Sequence, residues 1–105
     1  MGDTLKLSYT TALVLQTISS GYNYGFDIME VTGLPSGTVY PTLRRLEQQE
    51  LIKSSWETQH TAFADQRPAR KYYRLTRDGK GALTNAVHRY ALLDRLISAE
   101  KSNRR

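Results

Sequence analysis

Ser36-Gly37-Thr38-Val39-Tyr40-Pro41-Thr42-Leu43-Arg44-Arg45-Leu46-Glu47, followed after a break in period by Arg70-Lys71-Tyr72-Tyr73-Arg74-Leu75-Thr76, is the stretch on which the fold turns. In the first part Val39, Leu43 and Leu46 recur at i, i+4 and i+7, a narrow buried stripe on a helix running from about residue 37 or 38 to Gln49. At 100° per residue the opposite face collects Pro41, Arg44 and Gln48, flanked by Tyr40, Arg45 and Thr38, so it is aromatic, basic and hydrogen-bonding. Thr38 is the favoured cap, which places Pro41 at the third helical position, where its missing N–H costs almost nothing. After Leu51 the period becomes two: residues 52–58 and 70–75 read as strands, joined across a polar loop at 59–69 as an antiparallel hairpin.

Working outward, Ala12, Leu13, Leu15 and Ile18 mark a first helix over residues 8–19, with Ser8 as cap and Gly21 as stop. A short second helix spans about residues 24–32 and exits at Gly33, where a left-handed conformation is cheap. Leu34-Pro35-Ser36-Gly37 is then a tight connection. Beyond the hairpin, Thr76 caps a long helix from Arg77 to about Lys101. Its apolar residues Leu83, Ala86, Tyr90, Leu93 and Ile97 are spaced 3, 4, 3 and 4, a seam that Leu92 and Leu96 widen. A helix of that length projects past so small a domain, so its far end is expected to need a second copy of the chain. The expected architecture is mainly α with one β-hairpin, a winged helix-turn-helix: residues 1–76 form the winged domain, and residues 77–105 a dimerisation helix with a basic tail.

The chain is 105 residues, room for one domain. Its net charge is +5, unevenly laid out. Residues 1–65 are net acidic, whereas residues 66–81 carry Arg67, Arg70, Lys71, Arg74, Arg77 and Lys80 against Asp78 alone. Such concentration is the footprint of an anionic partner. Absence of cysteine removes disulfides, thiolate metal sites and thiol nucleophiles, and suits a reducing compartment. No apolar run approaches a membrane span, and Asp3 ahead of a short interrupted apolar patch is no secretory signal, so a cytoplasmic address without membrane contact is expected. Enzyme chemistry lacks its parts: His60 and His88 sit on different elements, and there is no nucleophile elbow or phosphate loop. No cofactor is expected.

The segment Tyr24-Gly25-Phe26-Asp27-Ile28, the helix quoted above, and Arg67-Pro68-Ala69-Arg70-Lys71-Tyr72-Tyr73-Arg74-Leu75-Thr76 with Gly79 resemble the PadR family of bacterial transcriptional regulators over about residues 7–83. That resemblance implies homodimers on operator DNA, usually repressing, and often released by a small hydrophobic or aromatic compound. A chain of this length resembles the smaller subfamily, in which one C-terminal helix makes the dimer and an aromatic residue near Tyr90 lines a pocket between subunits. There are two departures: Glu50 stands where the family usually has glycine after the recognition helix, implying an exit in another conformation, and Gln66 replaces a common wing glycine, implying a stiffer tip.

Candidate DNA contacts are then Ser36, Thr38, Tyr40, Pro41, Arg44 and Arg45 on the helix and Arg67, Arg70 and Lys71 on the hairpin, with Arg67 and Arg70 expected to matter most. Each has an ordinary structural alternative. Ser36 and Thr38 are equally capping hydroxyls, Pro41 a helix starter, the arginines a solvated face, and the hairpin cations an edge that blunts aggregation. Trp56 is either a packing or a ligand-stacking residue. Leu83, Ala86, Tyr90, Leu93 and Ile97 are candidates for the dimer interface and its pocket. The rival from another class is a winged-helix protein-interaction module without DNA binding.

Overall fold

The computed structural model of the protein describes residues 7–91 and Arg95. Its elements follow in the order α1 (Tyr9–Ser19), α2 (Gly25–Thr32), α3 (Ser36–Gln48), β1 (Ile52–Trp56), α4 (Gln59–Ala64), β2 (Lys71–Leu75) and α5 (Arg77–Arg89). This is the expected mainly helical winged helix-turn-helix architecture with its antiparallel hairpin. Ala12, Val14, Leu15 and Ile18 put α1 at the centre of the core, against Ile28 of α2, Val39, Leu43 and Leu46 of α3, Ile52 and Tyr73 of the hairpin, and Leu83 and Ala86 of α5. Truncating one of the fully buried leucines, Leu15, Leu43 or Leu46, to alanine costs about 2–5 kcal/mol.

Three helices leave by one device. After α1, α3 and α4 the chain makes the paired 6→1 and 5→2 bonds of a Schellman motif, Tyr22 N–H to Thr17 O, Leu51 N–H to Leu46 O and Arg67 N–H to Ala62 O being the longer-range member of each. The residue in the left-handed position is Gly21 in the first case, but Glu50 (φ 60°) and Gln66 (φ 57°) in the others. This corrects the expectation at Glu50: the residue departs from glycine while the conformation does not, because buried Leu46 and Leu51 close the turn around it.

Two boundaries also differ. Helix α3 begins at Ser36 with Pro35 as its cap, not Thr38, since Pro35 is already extended (ψ 160°) and its carbonyl receives the N–H groups of Thr38 and Val39. Pro41 therefore lies inside the helix, and the Gly37 carbonyl loses its intrahelical donor. The loop at 59–69 contains α4, capped by Thr58, whose hydroxyl accepts the Thr61 N–H at 3.1 Å. Spacing concealed it because only Ala62 of its six residues is buried.

In the hairpin Ile52, Ser54 and Trp56 stand opposite Leu75, Tyr73 and Lys71, and these six share the face towards α3. Lys53 opposite Arg74 and Ser55 opposite Tyr72 form the other face. Thr76 ties the hairpin to α5: its N–H bonds the Leu51 carbonyl, its hydroxyl donates to the Glu50 carbonyl at 2.8 Å, and the same oxygen caps Gly79 N–H. The expected uninterrupted helix to Lys101 is corrected at its middle. Helix α5 ends at Arg89 and Tyr90 turns extended (φ −111°, ψ 101°), its hydroxyl donating to the Leu7 carbonyl at 2.7 Å and its ring standing edge-on to Tyr9. Leu92, Leu93, Leu96, Ile97 and Lys101 lie outside the described residues.

Candidate nucleic-acid interface

The buried stripe of α3 turns Ser36, Tyr40, Arg44, Arg45 and Gln48 outward. Arg44 has no hydrogen-bond or ion-pair partner among the described residues, leaving its guanidinium donors open. Arg45 is braced: its Nη2 donates to the Thr42 hydroxyl, which itself donates to the Thr38 carbonyl. At the start of the helix Pro35 offers no side-chain acceptor, so among the described residues the first-turn N–H groups of Ser36 and Gly37 have no partner beside the Ser36 hydroxyl. Thr38 and Pro41 are half-buried. The Tyr40 ring lies over the backbone of Gly25, where a Cβ would stand 2.5 Å from the ring edge.

The hairpin cations divide sharply. Arg67 is absorbed into the wing: its two terminal nitrogens grip the two oxygens of Glu57, at 2.5 and 2.7 Å, and one also meets Asp65 at 3.0 Å. Glu57 also accepts the Arg70 N–H at 3.2 Å. The Arg67 hydrogen bond, aided by the Arg70 N–H and opposed by desolvation, holds the Glu57 carboxyl down to about 2 against an ordinary 4.5. This pair closes the long wing loop onto itself, and Arg67 offers no free fork, unlike the open cation that the sequence led us to expect. Arg70 stacks its guanidinium 4.3 Å from the centroid of the Tyr24 ring, and the two Tyr rings, 24 and 72, meet edge to face. Lys71, on the α3 side, places its ammonium 3.8 Å from Glu47 and near the rings of Trp56 and Tyr73. Burial, then the Glu47 charge, pushes the Tyr73 hydroxyl pKa up.

Helix α3 and the inner hairpin face thus enclose a cleft of about 830 Å³ that includes Tyr40, Arg44, Trp56, Arg70 and Lys71. Spacing brought neither Trp56 to this cleft nor Glu57 to Arg67. Trp56 was ambiguous because its strand position alone does not say that its ring stays 67% exposed, and Glu57 finds Arg67 ten residues on, a pairing with no periodic signature. Elsewhere, Leu83 and Ala86 are buried in the chain's own core. A shallower pocket of about 320 Å³ lies between α1 and α5, where the buried Gln16 Oε1 has no partner among the described residues. His60 and His88 are exposed. Among the described residues no group of three or more His, Asp or Glu side chains is placed to hold a metal, and no helix is long and apolar enough to cross a membrane.

A helix-turn-helix with an outward basic helix and a flanking wing defines a DNA-binding regulator of the winged-helix class. The family model for the transcriptional regulator PadR-like family matches residues 14–85. The chain belongs to that family, whose members are non-enzymatic DNA-binding regulators of transcription. A PadR family transcription regulator from Clostridium difficile is 26% identical and superposes with a TM-score of 0.69 over 88% of this chain and 97% of that one. The protein smu.1704 of Streptococcus mutans, 23% identical, gives 0.69 over 100% of this chain and 97% of its own. Escherichia coli MarR, 13% identical, shares the fold alone, with a TM-score of 0.65 over 79% of this chain and 57% of MarR. No curated protein is a significant match to the sequence.

Proposed function

We propose that the protein is a cytoplasmic homodimeric repressor that binds a palindromic operator and is released by a small hydrophobic or aromatic effector. The supporting observation is the open Arg44 guanidinium on the outward face of α3, beside Tyr40, Arg45 and the unbonded first-turn N–H groups. In this reading Arg44 and Arg45 reach guanine edges or phosphates, Ser36 and Thr38 meet phosphate, and Tyr40 and Pro41 meet sugar or a thymine methyl. Arg70 and Lys71 carry the wing's phosphate contacts, and Arg67 shapes the wing from within. Residues 1–76 form the DNA-reading part and 77–105 the dimerising part. The second copy and the effector are assigned to the seam of Leu83, Ala86, Tyr90, Leu93 and Ile97, of which Leu83, Ala86 and Tyr90 also pack on the chain's own core. Two-fold symmetry sets the half-sites about 34–36 Å apart. An effector between subunits weakens DNA binding only as far as it prefers the incompatible arrangement. Selection from a random duplex pool, with stoichiometry measured, tests the reading. The expected result is an inverted repeat bound by two chains, and enrichment of an asymmetric site bound by one chain overturns it.

A further inference from the structure

We propose that Tyr24 is a positioning residue for DNA binding: its ring holds the Arg70 guanidinium of the wing in place against the helix-turn-helix and leaves the donors of that guanidinium free for a phosphate. The guanidinium carbon lies 4.3 Å from the centroid of the Tyr24 ring, within reach of a cation–π contact. Among the described residues the Arg70 side chain has no hydrogen bond or ion pair, since only its backbone N–H is engaged, by Glu57. The Tyr24 hydroxyl makes no hydrogen bond among them either, so what this residue contributes is its ring. A ring attracts the charge without supplying an acceptor, and therefore fixes the group while its N–H donors stay open. Arg67 shows the contrast: it is held by the Glu57 carboxylate, which consumes its fork.

The ring is itself fixed by the backbone. Tyr24 is the extended residue that caps α2 (φ −131°, ψ 158°), and it pairs antiparallel with Tyr72. The carbonyl of Asn23 accepts the Tyr73 N–H at 2.8 Å, so residues 23–24 lie along the edge of β2. The Tyr72 ring meets the Tyr24 ring edge to face, with centroids 5.7 Å apart. Next in sequence, Gly25 lies beneath the Tyr40 ring of α3. One dipeptide therefore touches both the wing cation and the recognition helix, and the placing of Arg70 relative to α3 runs through it. Ordering a loose, rotamer-rich side chain on binding costs about two- to tenfold in affinity, and a ring that has ordered it beforehand removes that cost. The inference rests on the reading of Arg70 as a phosphate contact.

The full chain is measured first without DNA. In the carbon-13-labelled protein the Arg70 δ protons should resonate upfield of those of the other arginines, through the ring current of Tyr24; Tyr24→Phe should keep the displacement and Tyr24→Leu abolish it. Arg70 protons at the ordinary position in the wild type overturn the proposal, and this measurement needs no variant to fold. With a duplex selected from a random pool, Tyr24→Leu, checked for folding by circular dichroism, should weaken binding about fivefold and Tyr24→Phe less than about twofold. In an Arg70→Ala background Tyr24→Leu should cost nothing further, because the residue acts through that arginine. A wing merely loosened by Tyr24→Leu would lose the same factor in both backgrounds. That result, or a loss in Tyr24→Phe equal to the loss in Tyr24→Leu, overturns the proposal. If the upfield displacement is present but Arg70→Ala binds the duplex as the wild type does, the DNA reading fails at Arg70 and the positioning role with it, while the ring contact stands.

Discussion

Replacing Gly79 by alanine probes the joint that sets the wing against the last helix. A Cβ at Gly79 would overlap the carbonyl oxygen of Leu51 and stand 2.9 Å from its carbon. The helix must therefore withdraw by roughly 1.5 Å to reach ordinary contact, a shift for which overpacking costs about 1–3 kcal/mol. Withdrawal also stretches the Thr76 bonds to the Leu51 and Glu50 carbonyls, each worth about 1 kcal/mol. Against this stands the gain of about 1 kcal/mol from removing a helical glycine. The net expectation is a loss of about 2–3 kcal/mol. Gly81, two residues on in the same helix, faces open space, so Gly81→Ala should gain up to about 1 kcal/mol. Urea unfolding followed by circular dichroism at one fixed protein concentration reads both changes against the same reference. Equal stabilities for the two variants would refute the steric argument, because helix propensity alone moves them together.

Relieving the left-handed side chain at Glu50 should show in the same assay: Glu50→Gly removes about 1–2 kcal/mol of strain and adds about 0.5–1 kcal/mol of unfolded-state entropy, for a gain of up to about 1.5 kcal/mol, and a loss would contradict the strain account. Tyr90→Phe deletes the hydroxyl held by the Leu7 carbonyl and should cost about 1 kcal/mol, an unchanged midpoint meaning that this bond holds nothing. The Glu57 carboxyl should titrate near 2 by carbon-13 NMR, so its contribution to stability is fully present above about 4.5 and lost as pH falls towards 2. Arg67→Gln should return that titration towards 4.5, and a wild-type carboxyl already titrating there would dissolve the wing clasp.

The sequence made the winged architecture legible because period changes carry it: the α3 stripe, the switch to two at Ile52, and the stop signals Gly21 and Gly33 all fall where the elements do. What stayed hidden depends on contacts that spacing does not encode. Helix α4 is too short for an amphipathic pattern, and Pro35, which lacks a capping side chain, still displaced Thr38 as the start of α3 by geometry alone. The break at Tyr90 comes from a bond across 83 residues to Leu7, invisible to any local rule. Within the candidate site, Arg44 faces out as its helical phase required, while Arg67 looked like the leading wing cation and is instead bound to Glu57. Charge counted along the chain located the basic region, and pairing decided which of its members remain open.

The salt dependence of operator binding tests the central claim most directly. Each phosphate neutralised contributes about 0.9 to the slope of log K against log salt concentration. If Arg44 meets a phosphate in each chain of the proposed dimer, Arg44→Ala should lower the magnitude of that slope by about 2, while Arg67→Gln, which removes an internally paired cation, should leave it nearly unchanged. An Arg44→Ala variant whose affinity and slope both equal the wild type, or a larger drop in slope from Arg67→Gln, would contradict the placement of DNA on the outward face of α3.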